Sequence, residues 1–170
     1  MKGVPAFADR PKHAFLATAA IVAVLDQLVK LWVVAVLPQT MLPETVIPGF
    51  CRILHIRNPG GAWGIFANFP GVLTMLSVVV AGFLVLRFEE LTEGRCLPAL
   101  GLGLALGGIL GNLVDRLFRD GVIDYIQFSI GRFPLTNAIN IADAAITLGV
   151  LLFMVTMMRQ PQCQQPPSEP

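Results

Sequence analysis

The sequence predicts an α-helical membrane protein in which four transmembrane helices carry a small antiparallel β-sheet and a short interfacial helix on the outer side of the bilayer. Hydrophobic residues make up 55% of the chain and charged residues 14%, and the mean hydropathy is +0.70. This composition is typical of a membrane protein. The formal net charge of +1 provides no basic face of the kind that nucleic acids require, so we expect no nucleic-acid partner.

Four apolar segments have the length of a membrane span. The first covers 24 residues from Ala14 to Leu37, which as an α-helix extend about 36 Å and cross a bilayer. The other three run from about Val72 to Phe88, from Leu97 to Val114 and from Ala138 to Met158. We therefore expect one membrane domain over residues 14–158, between a polar lead-in over residues 1–13 and a disordered tail over residues 159–170.

The even number of spans places both termini on one side of the membrane and the first and third connections on the other. Lys and Arg are equally numerous on the two sides, so the positive-inside rule alone does not fix the orientation. Three basic residues precede the first span, namely Lys2, Arg10 and Lys12, and they favour termini in the cytoplasm. The polar residues of both outer connections then lie on the same, outer side.

The two outer connections contain the strand-forming sequences VIPGFCRILHIRN, VIDYIQFSI and RFPLT. Their β-branched and aromatic residues predict a small sheet on the membrane surface. In VIDYIQFSI, alternation places Asp124 on one face with apolar residues such as Val122 and Ile126. Between the first strands and the second span, AWGIFANF predicts a short interfacial helix with Trp63 and Phe66 in the headgroup layer.

Small residues recur along the third span, where Gly103, Gly107 and Gly111 follow at four-residue intervals. The three glycines share one ridge, which lets another helix approach closely. We expect this approach to bring the polar residues at the end of the third span near those of the fourth.

Polar residues within the apolar segments follow helical spacing, so those of each segment share a face. They are Asp26 and Lys30 on the first segment, Asn112, Asp115 and Arg116 on the third, and Asn140 and Asp143 on the fourth. A charge in the bilayer core costs roughly 2.5 to 3.5 kcal/mol on insertion scales, so these side chains should face inward and meet partners.

Each of these residues has a structural interpretation beside a functional one. The structural interpretations are an ion pair of Asp26 with Lys30, a helix-end salt bridge of Asp115 with adjacent Arg116, a turn at Asn58 before Pro-Gly-Gly, and a helix N-cap at Asn140 and Asp143. The sequence leaves the functional and structural interpretations open for each.

Two carboxylates held together away from water share one proton and titrate as a pair. The ionised partner takes a proton from a water that attacks a carbonyl, while the protonated partner hydrogen-bonds the carbonyl oxygen and later protonates the leaving amine. Asp124 and Asp143 are the predicted pair. Asp115 is less suitable, because a salt bridge to Arg116 would hold it in the charged form.

Other chemistries have weaker support in the sequence. Neither His13 nor His55 has a serine or cysteine partner for nucleophilic catalysis, and the two lie too far apart in sequence to suggest a metal site. The cysteines, at positions 51, 96 and 163, lack metal-type spacing and are interpreted as free thiols. Buried acids could instead serve proton or cation transport, although no internal repeat accompanies them. A Mg²⁺-dependent lipid phosphotransferase using Asp115, Asp120 and Asp124 is a third hypothesis.

Five motifs in order resemble those of the lipoprotein signal peptidases, the signal peptidase II family of bacteria. They are DQLVK (26–30), NPGGAWGIF (58–66), GNLVDR (111–116), GVIDYI (121–126) and NIADAAIT (140–147). The resemblance implies an aspartyl peptidase of the inner membrane, with four transmembrane helices, a β-sheet cradle and the active site facing the periplasm. It implies cleavage of prolipoproteins just before a diacylglyceryl-modified cysteine, without a metal or other cofactor.

The resemblance also implies roles for individual residues and partners. Asp124 and Asp143 correspond to the catalytic pair, Asn58, Asn112, Arg116 and Asn140 to the substrate site, Asp115 to its support, and Asp26 and Lys30 to a structural or lipid-facing motif. The implied partners are a lipid-modified prolipoprotein, membrane lipid and globomycin-type peptide inhibitors, with the enzyme expected to be a monomer.

The chain departs from the usual family motifs near the substrate site. The second motif usually reads Asn-Thr-Gly-Ala-Ala-Phe and is altered here by Pro59, Gly61 and Trp63, while the last motif often has Phe and Ser where Ile139 and Ala144 stand. No departure removes a carboxylate, so they bear on substrate contacts and not on the reaction.

Overall fold

The computed structural model describes residues 10–59, 69–131 and 133–159. In these residues the chain forms five helices and four strands. In chain order the elements are α1 (Arg10–Val36), β1 (Thr40–Ile47), β2 (Cys51–Asn58), α2 (Pro70–Leu86), α3 (Phe88–Thr92), α4 (Cys96–Phe118), β3 (Val122–Ile130), β4 (Phe133–Pro134) and α5 (Ile141–Met158).

All four predicted spans are helical, but three of the described helices, α1, α4 and α5, have both the length and the hydropathy of a membrane span. The 17 residues of α2 extend about 26 Å, which is shorter than a typical hydrocarbon core of about 30 Å. The protein is therefore a helical membrane protein with three long apolar helices and a shorter fourth. The interfacial helix predicted around Trp63 and Phe66 lies outside the described residues, as do residues 1–9 of the lead-in and residues 160–170 of the tail.

Helix boundaries differ from the predicted ones where polar side chains find partners. Helix α4 continues one turn beyond Val114 to Phe118, because Asp115 pairs with Arg119 one turn later and does not end the helix. Helix α5 begins at Ile141, three residues after the predicted start, because Asn140 caps it.

The strands form one antiparallel sheet in the order β1-β2-β3-β4. Strand β2 pairs with β3 so that Ile53 lies opposite Ile126 and Ile56 opposite Asp124, with an irregularity between the two pairs. The first half of β3 has no exposed face, because the four residues 122–125 are all buried. Both faces of the strand are covered there, and Ile123 packs with Val33 of α1 on one of them.

Helix α4 is the centre of the bundle and has a glycine-lined surface toward each of two neighbours. A Cβ atom on Gly103 or Gly107 would lie 2.7 Å from a backbone carbonyl oxygen of α1, and one on Gly101 would lie 2.9 Å from the carbonyl oxygen of Gly149 in α5. The predicted ridge of Gly103, Gly107 and Gly111 is confirmed, since all three contact α1. This close packing brings the polar ends of α1, α4 and α5 into one layer.

Candidate active site

A cavity of about 360 Å³ opens where the polar end of α4, strand β3 and the start of α5 meet. The two predicted catalytic residues, Asp124 and Asp143, both line it. The other lining residues are Asn58, Asn112, Arg116, Val122, Leu135, Thr136, Asn137, Ala138 and Ile139. Three of the five predicted substrate-site or support residues thus line the cavity with the two aspartates, namely Asn58, Asn112 and Arg116. Asn140 is buried and donates a hydrogen bond to Asp124, and Asp115 is buried without lining the cavity.

Asp124 projects from β3 and is 3% exposed. Its Oδ2 atom accepts a hydrogen bond from Asn58 Nδ2 at 2.9 Å, and its Oδ1 atom accepts one from Asn140 Nδ2 at 2.7 Å. Burial raises the pKa of Asp124 from 3.8 to about 7, while the hydrogen bond from Asn58 opposes this rise and the charge of Asp143 adds to it. Near neutral pH this carboxyl can therefore both hold and release a proton.

Asp143 is the third residue of α5 and forms a capping box with Asn140. Asn140 Oδ1 accepts from the backbone N–H of Asp143 at 2.9 Å, and Asp143 Oδ2 accepts from that of Asn140 at 3.3 Å. The other carboxylate oxygen of Asp143 accepts from Asn112 Nδ2 at 2.8 Å. The cap interpretation is thus confirmed, and it leaves Asp143 facing the cavity at a helix N-terminus, where negative charge is stabilised.

Asn140 and Asn112 connect the two aspartates. Asn140 Nδ2 donates to Asp124 and also lies 3.2 Å from Asn112 Oδ1 and 3.3 Å from the carbonyl oxygen of Ile123. Asn112 Oδ1 additionally accepts from Lys30 Nζ at 2.8 Å. With its oxygen occupied in this way, Asn112 presents its NH₂ group to Asp143.

The predicted salt bridge between Asp115 and Arg116 is wrong. Asp115 pairs with Arg119 on its own helix and with Lys30 of α1 at 2.7 Å. Adjacent helix positions diverge by about 100°, whereas positions four apart share a face, so Asp115 meets Arg119 and not Arg116. Arg116 lines the cavity instead, and its Nη1 atom lies 3.4 Å from Ser77 Oγ of α2.

Asp26 and Lys30 form the predicted i, i+4 ion pair at 2.8 Å, and neither side chain has exposed surface. They face α4 and not lipid, because Asp26 packs against Gly111 and Lys30 reaches Asp115. Asp26, Lys30 and Asp115 all lie next to the cavity without lining it.

Several residues of this region were not identified from the sequence. Gln27 donates to the carbonyl oxygen of Gly111 at 2.9 Å and accepts from Arg119 at 2.7 Å. Tyr125 Oη accepts from the backbone N–H of Ile141 at 3.2 Å, and burial raises the pKa of Tyr125 to about 12. The position of polar Gln27 inside the first apolar segment could have indicated it. Nothing in the sequence of residues 135–139 indicated a place in the cavity, apart from their position just before Asn140.

No histidine or cysteine is among the residues that line this cavity in the described part of the chain. His55 is buried, and its Nδ1 atom lies 3.0 Å from the carbonyl oxygen of Leu37. Cys51 and Cys96 are free thiols. Over residues 10–59, 69–131 and 133–159, no three His, Cys, Asp or Glu side chains are grouped so that they could hold a metal ion.

Lipoprotein signal peptidases and solved bacterial membrane enzymes are similar to the chain in sequence and fold. Lipoprotein signal peptidases of Syntrophus aciditrophicus and Geobacillus thermodenitrificans are 37% and 38% identical to the chain, over 89% and 84% of it and over 96% and 88% of their own lengths. A bacterial membrane enzyme solved by the in meso method at 2.3 Å resolution superposes with a TM-score of 0.78 at 26% identity, covering 92% of this chain and 94% of that one. A second, solved at 1.9 Å, gives a TM-score of 0.74 at 28% identity, covering 86% and 94%.

The family match extends over the same elements that build the cavity. Residues 18–159 match the family described as Signal peptidase (SPase) II, and this range includes most of α1 and all of the sheet, α4 and α5. The chain belongs to the signal peptidase II family and is a membrane-embedded peptidase.

Proposed function

We propose that the chain is an intramembrane aspartyl endopeptidase that removes the signal peptide from prolipoproteins. It cleaves on the N-terminal side of a diacylglyceryl-modified cysteine, and Asp124 and Asp143 activate the attacking water without a metal. Family membership supports the prolipoprotein substrate. The observation that carries the mechanism is that Asp124 and Asp143 line one cavity and are both hydrogen-bonded to Asn140.

The surroundings of the two carboxyls support different protonation states for them. Asp124 is almost fully buried and has a pKa raised to about 7, so it holds the shared proton. Asp143 accepts hydrogen bonds from the Asn112 side chain and from the backbone N–H of Asn140 at the N-terminus of α5, and these orient its carboxyl beside the cavity. Asp124 is therefore the acid and Asp143 the base.

The reaction then needs one water and no other co-reactant. The water oxygen bonds to the peptide carbonyl carbon while Asp143 takes a proton from that water. Asp124 at the same time donates a hydrogen bond to the carbonyl oxygen. Asp124 next gives its proton to the amine nitrogen as the C–N bond breaks, which leaves a carboxylic acid and a free amine. A proton returning from Asp143 to Asp124 restores the starting state.

The remaining features of the cavity support a lipid-bearing peptide substrate. Its wall combines the polar side chains of Asn58, Asn112 and Arg116 with apolar residues of the segment 135–139. We place the enzyme in the inner membrane as a monomer, with both termini in the cytoplasm, the cavity facing the periplasm and membrane lipid around the bundle. A globomycin-type peptide would compete for the same cavity.

The experiment uses the purified full chain in lipid nanodiscs with two synthetic precursors, identical except that one cysteine carries the diacylglyceryl group. We expect mass spectrometry to find one cut directly before the modified cysteine, at the same rate with and without excess chelator, and little cleavage of the unmodified precursor. Cleavage elsewhere, equal cleavage of both precursors, or loss of activity on chelation would contradict the proposal.

A further inference from the structure

Three buried charged residues lie directly beneath the cavity and form what we call the buried triad, Asp26, Lys30 and Asp115. Lys30 Nζ lies 2.8 Å from Asp26 Oδ2 and 2.7 Å from Asp115 Oδ2, and none of the three side chains has exposed surface. None of them lines the cavity. The triad therefore has no route to contact a substrate there.

Both carboxylates of the triad also bind backbone, and they do so at equivalent places. Asp115 Oδ2 accepts from the N–H of Ile123 at 3.1 Å, and Asp26 Oδ1 accepts from the N–H of Ala142 at 3.0 Å. Ile123 and Ala142 are the residues that directly precede the two proposed catalytic aspartates. One lysine thus joins two carboxylates, each of which holds the backbone next to one catalytic side chain.

Lys30 makes a third contact that leads to the same place. Its Nζ atom donates to Asn112 Oδ1 at 2.8 Å, and Asn112 Nδ2 donates to Asp143 Oδ1 at 2.8 Å. Because the ammonium has no acceptor, it requires the oxygen of the Asn112 amide to face it. The NH₂ group is then directed at Asp143.

We infer that the buried triad is a positioning device for the catalytic pair, which sets the separation of the Asp124 and Asp143 carboxyls by holding the backbone before each of them. This inference rests on the proposed function of the two aspartates. Net stabilisation alone is a weak reason for such a cluster, because a buried ion pair is often no more stabilising than apolar residues of similar size. A displacement of about 1 Å at a reacting group, by contrast, can reduce the rate about a hundredfold.

The test replaces two members of the triad together, in the double variant Asp26→Asn, Lys30→Met. This change removes one negative and one positive charge, so Asp115 keeps its partner Arg119 and no isolated charge is buried. We expect kcat on the diacylglyceryl-modified precursor to fall about a hundredfold, while KM changes little because the cavity wall is untouched.

The pH dependence of the rate separates positioning from a general structural role. The charged side chains that act on Asp124 are Asp143 of α5, Lys30 of α1 and Arg116 of α4. Two carboxyls held close together lose their protons at widely separated apparent pKa values, and the pair is singly protonated and active between these values. Increasing the distance between the carboxyls brings the two pKa values together and narrows the active pH range. We therefore expect the triad variants to have a narrower kcat–pH profile, and Asp26→Asn reports this most directly because it keeps the Lys30 charge that acts on Asp124. Loss of properly folded enzyme would lower the profile without changing its width.

A matched control exists at the surface, where Arg87 and Glu90 form an i, i+3 ion pair with side chains 54% and 62% exposed. The double variant Arg87→Met, Glu90→Gln makes the same exchange far from the cavity and should leave kcat and the profile width unchanged. Asp26→Asn alone is the second triad variant, in case the double variant does not fold, and it should narrow the profile in the same direction.

The results that would overturn the inference about the triad differ from the result that would refute the proposed function. A folded triad variant with wild-type kcat, or with reduced kcat and an unchanged profile width, would overturn the inference. Failure of both triad variants to fold beside a folded Arg87 control would also overturn it, by assigning the triad to the fold itself. Activity in Asp124→Asn and Asp143→Asn under the same conditions would instead refute the proposed function, independently of the triad.

Discussion

Two pairs of carboxylates lie in the same layer of the bundle and differ in what surrounds them. Asp26 and Asp115 are enclosed and contact the cations Lys30 and Arg119. Asp124 and Asp143 line a cavity and, in the part of the chain that the structure describes, receive their hydrogen bonds from side-chain amides and from one backbone N–H.

This difference explains how one residue type can have two roles in adjacent places. Cations at ion-pair distance and backbone N–H donors hold the enclosed carboxyls in fixed positions, where they act as hydrogen-bond acceptors. An amide donor orients a carboxyl without supplying a full charge. Asp124, whose pKa is raised to about 7, is therefore oriented and still able to exchange a proton near neutral pH.

Removing the cation from the enclosed pair should have the largest effect on stability. Lys30→Met leaves Asp26 and Asp115 buried with one cation fewer, and such a loss costs about 3 to 5 kcal/mol. Adding Asp26→Asn to the same chain should recover most of that loss. Thermal unfolding in detergent compares the stability of Lys30→Met with that of the double variant. A double variant no more stable than Lys30→Met would contradict the conclusion that Lys30 compensates the buried charge of Asp26.

A displacement of the first turn of α5, which carries Asp143, should reduce activity more than it reduces stability. A Cβ atom on Gly108 would contact the carbonyl oxygen of Ala142 and lie 2.8 Å from Ile146, whereas one on Gly82 would meet nothing within 4 Å. We expect Gly108→Ala to cost about 1 to 3 kcal/mol and to reduce kcat more than tenfold by shifting the turn that carries Asp143.

Gly82→Ala is the matched control for this substitution. It should preserve kcat and leave stability unchanged or raised by up to about 1 kcal/mol, because alanine favours a helix interior over glycine. Equal losses of kcat in the two variants, measured with the modified precursor, would count against the link between α4 packing and Asp143.

The proton on Asp124 predicts the direction of the pH dependence. The proposed mechanism uses Asp124 in its protonated form, so activity should be present below the pKa of Asp124 and should be lost as the pH rises through about 7. The same raised pKa makes the folded protein lose stability between pH 3.8 and about 7, since the unfolded chain ionises first.

Asn58→Ala sharpens this prediction by removing the hydrogen bond that lowers the pKa of Asp124. The basic limb of the kcat–pH profile should then move upward, on the order of one pH unit for a hydrogen bond to a charged group. A downward shift would mean that the limb reports a group other than Asp124.

The smallest effect is expected where a comparable ion pair is exposed. The double variant Arg87→Met, Glu90→Gln should change the free energy of unfolding by about 0.5 kcal/mol or less, because solvent screens such pairs. A loss of stability as large as that of Lys30→Met would show that burial does not explain the difference between the Asp26–Lys30 and Arg87–Glu90 ion pairs.

Much of the site could be predicted because helical spacing decides which side chains share a face. Asn112 with Asp115, and Asn140 with Asp143, were predicted to lie together in this way, and the glycine ridge of α4 indicated that the helices would pack closely. Long-range partners could not be read from spacing. The contacts of Lys30 with Asp115 and of Asn58 with Asp124 depend on how α1 and β2 pack in three dimensions.

Local patterns were also misleading where tertiary packing competes with them. Adjacency in sequence suggested that Asp115 pairs with Arg116, although the helix turns the two side chains apart. Alternation grouped Asp124 with Val122 and Ile126 but did not show that Ile123, on the other face of β3, packs against α1. The length of α2 could not be judged from hydropathy alone, because Pro70 begins that helix and Phe88 already belongs to the next.

The most direct test of the catalytic pair is the cleavage rate of the modified precursor by three purified Asp→Asn variants. Asp124→Asn and Asp143→Asn should each lose activity by about 10² to 10⁴-fold, the usual contribution of general acid–base catalysis. Asp120→Asn is the matched control, since Asp120 is exposed, lines a neighbouring cavity and adopts a φ of 57°, which asparagine tolerates. Full loss in the first two with a wild-type rate in the third is the predicted result, and wild-type cleavage by a folded Asp124 or Asp143 variant would contradict the account.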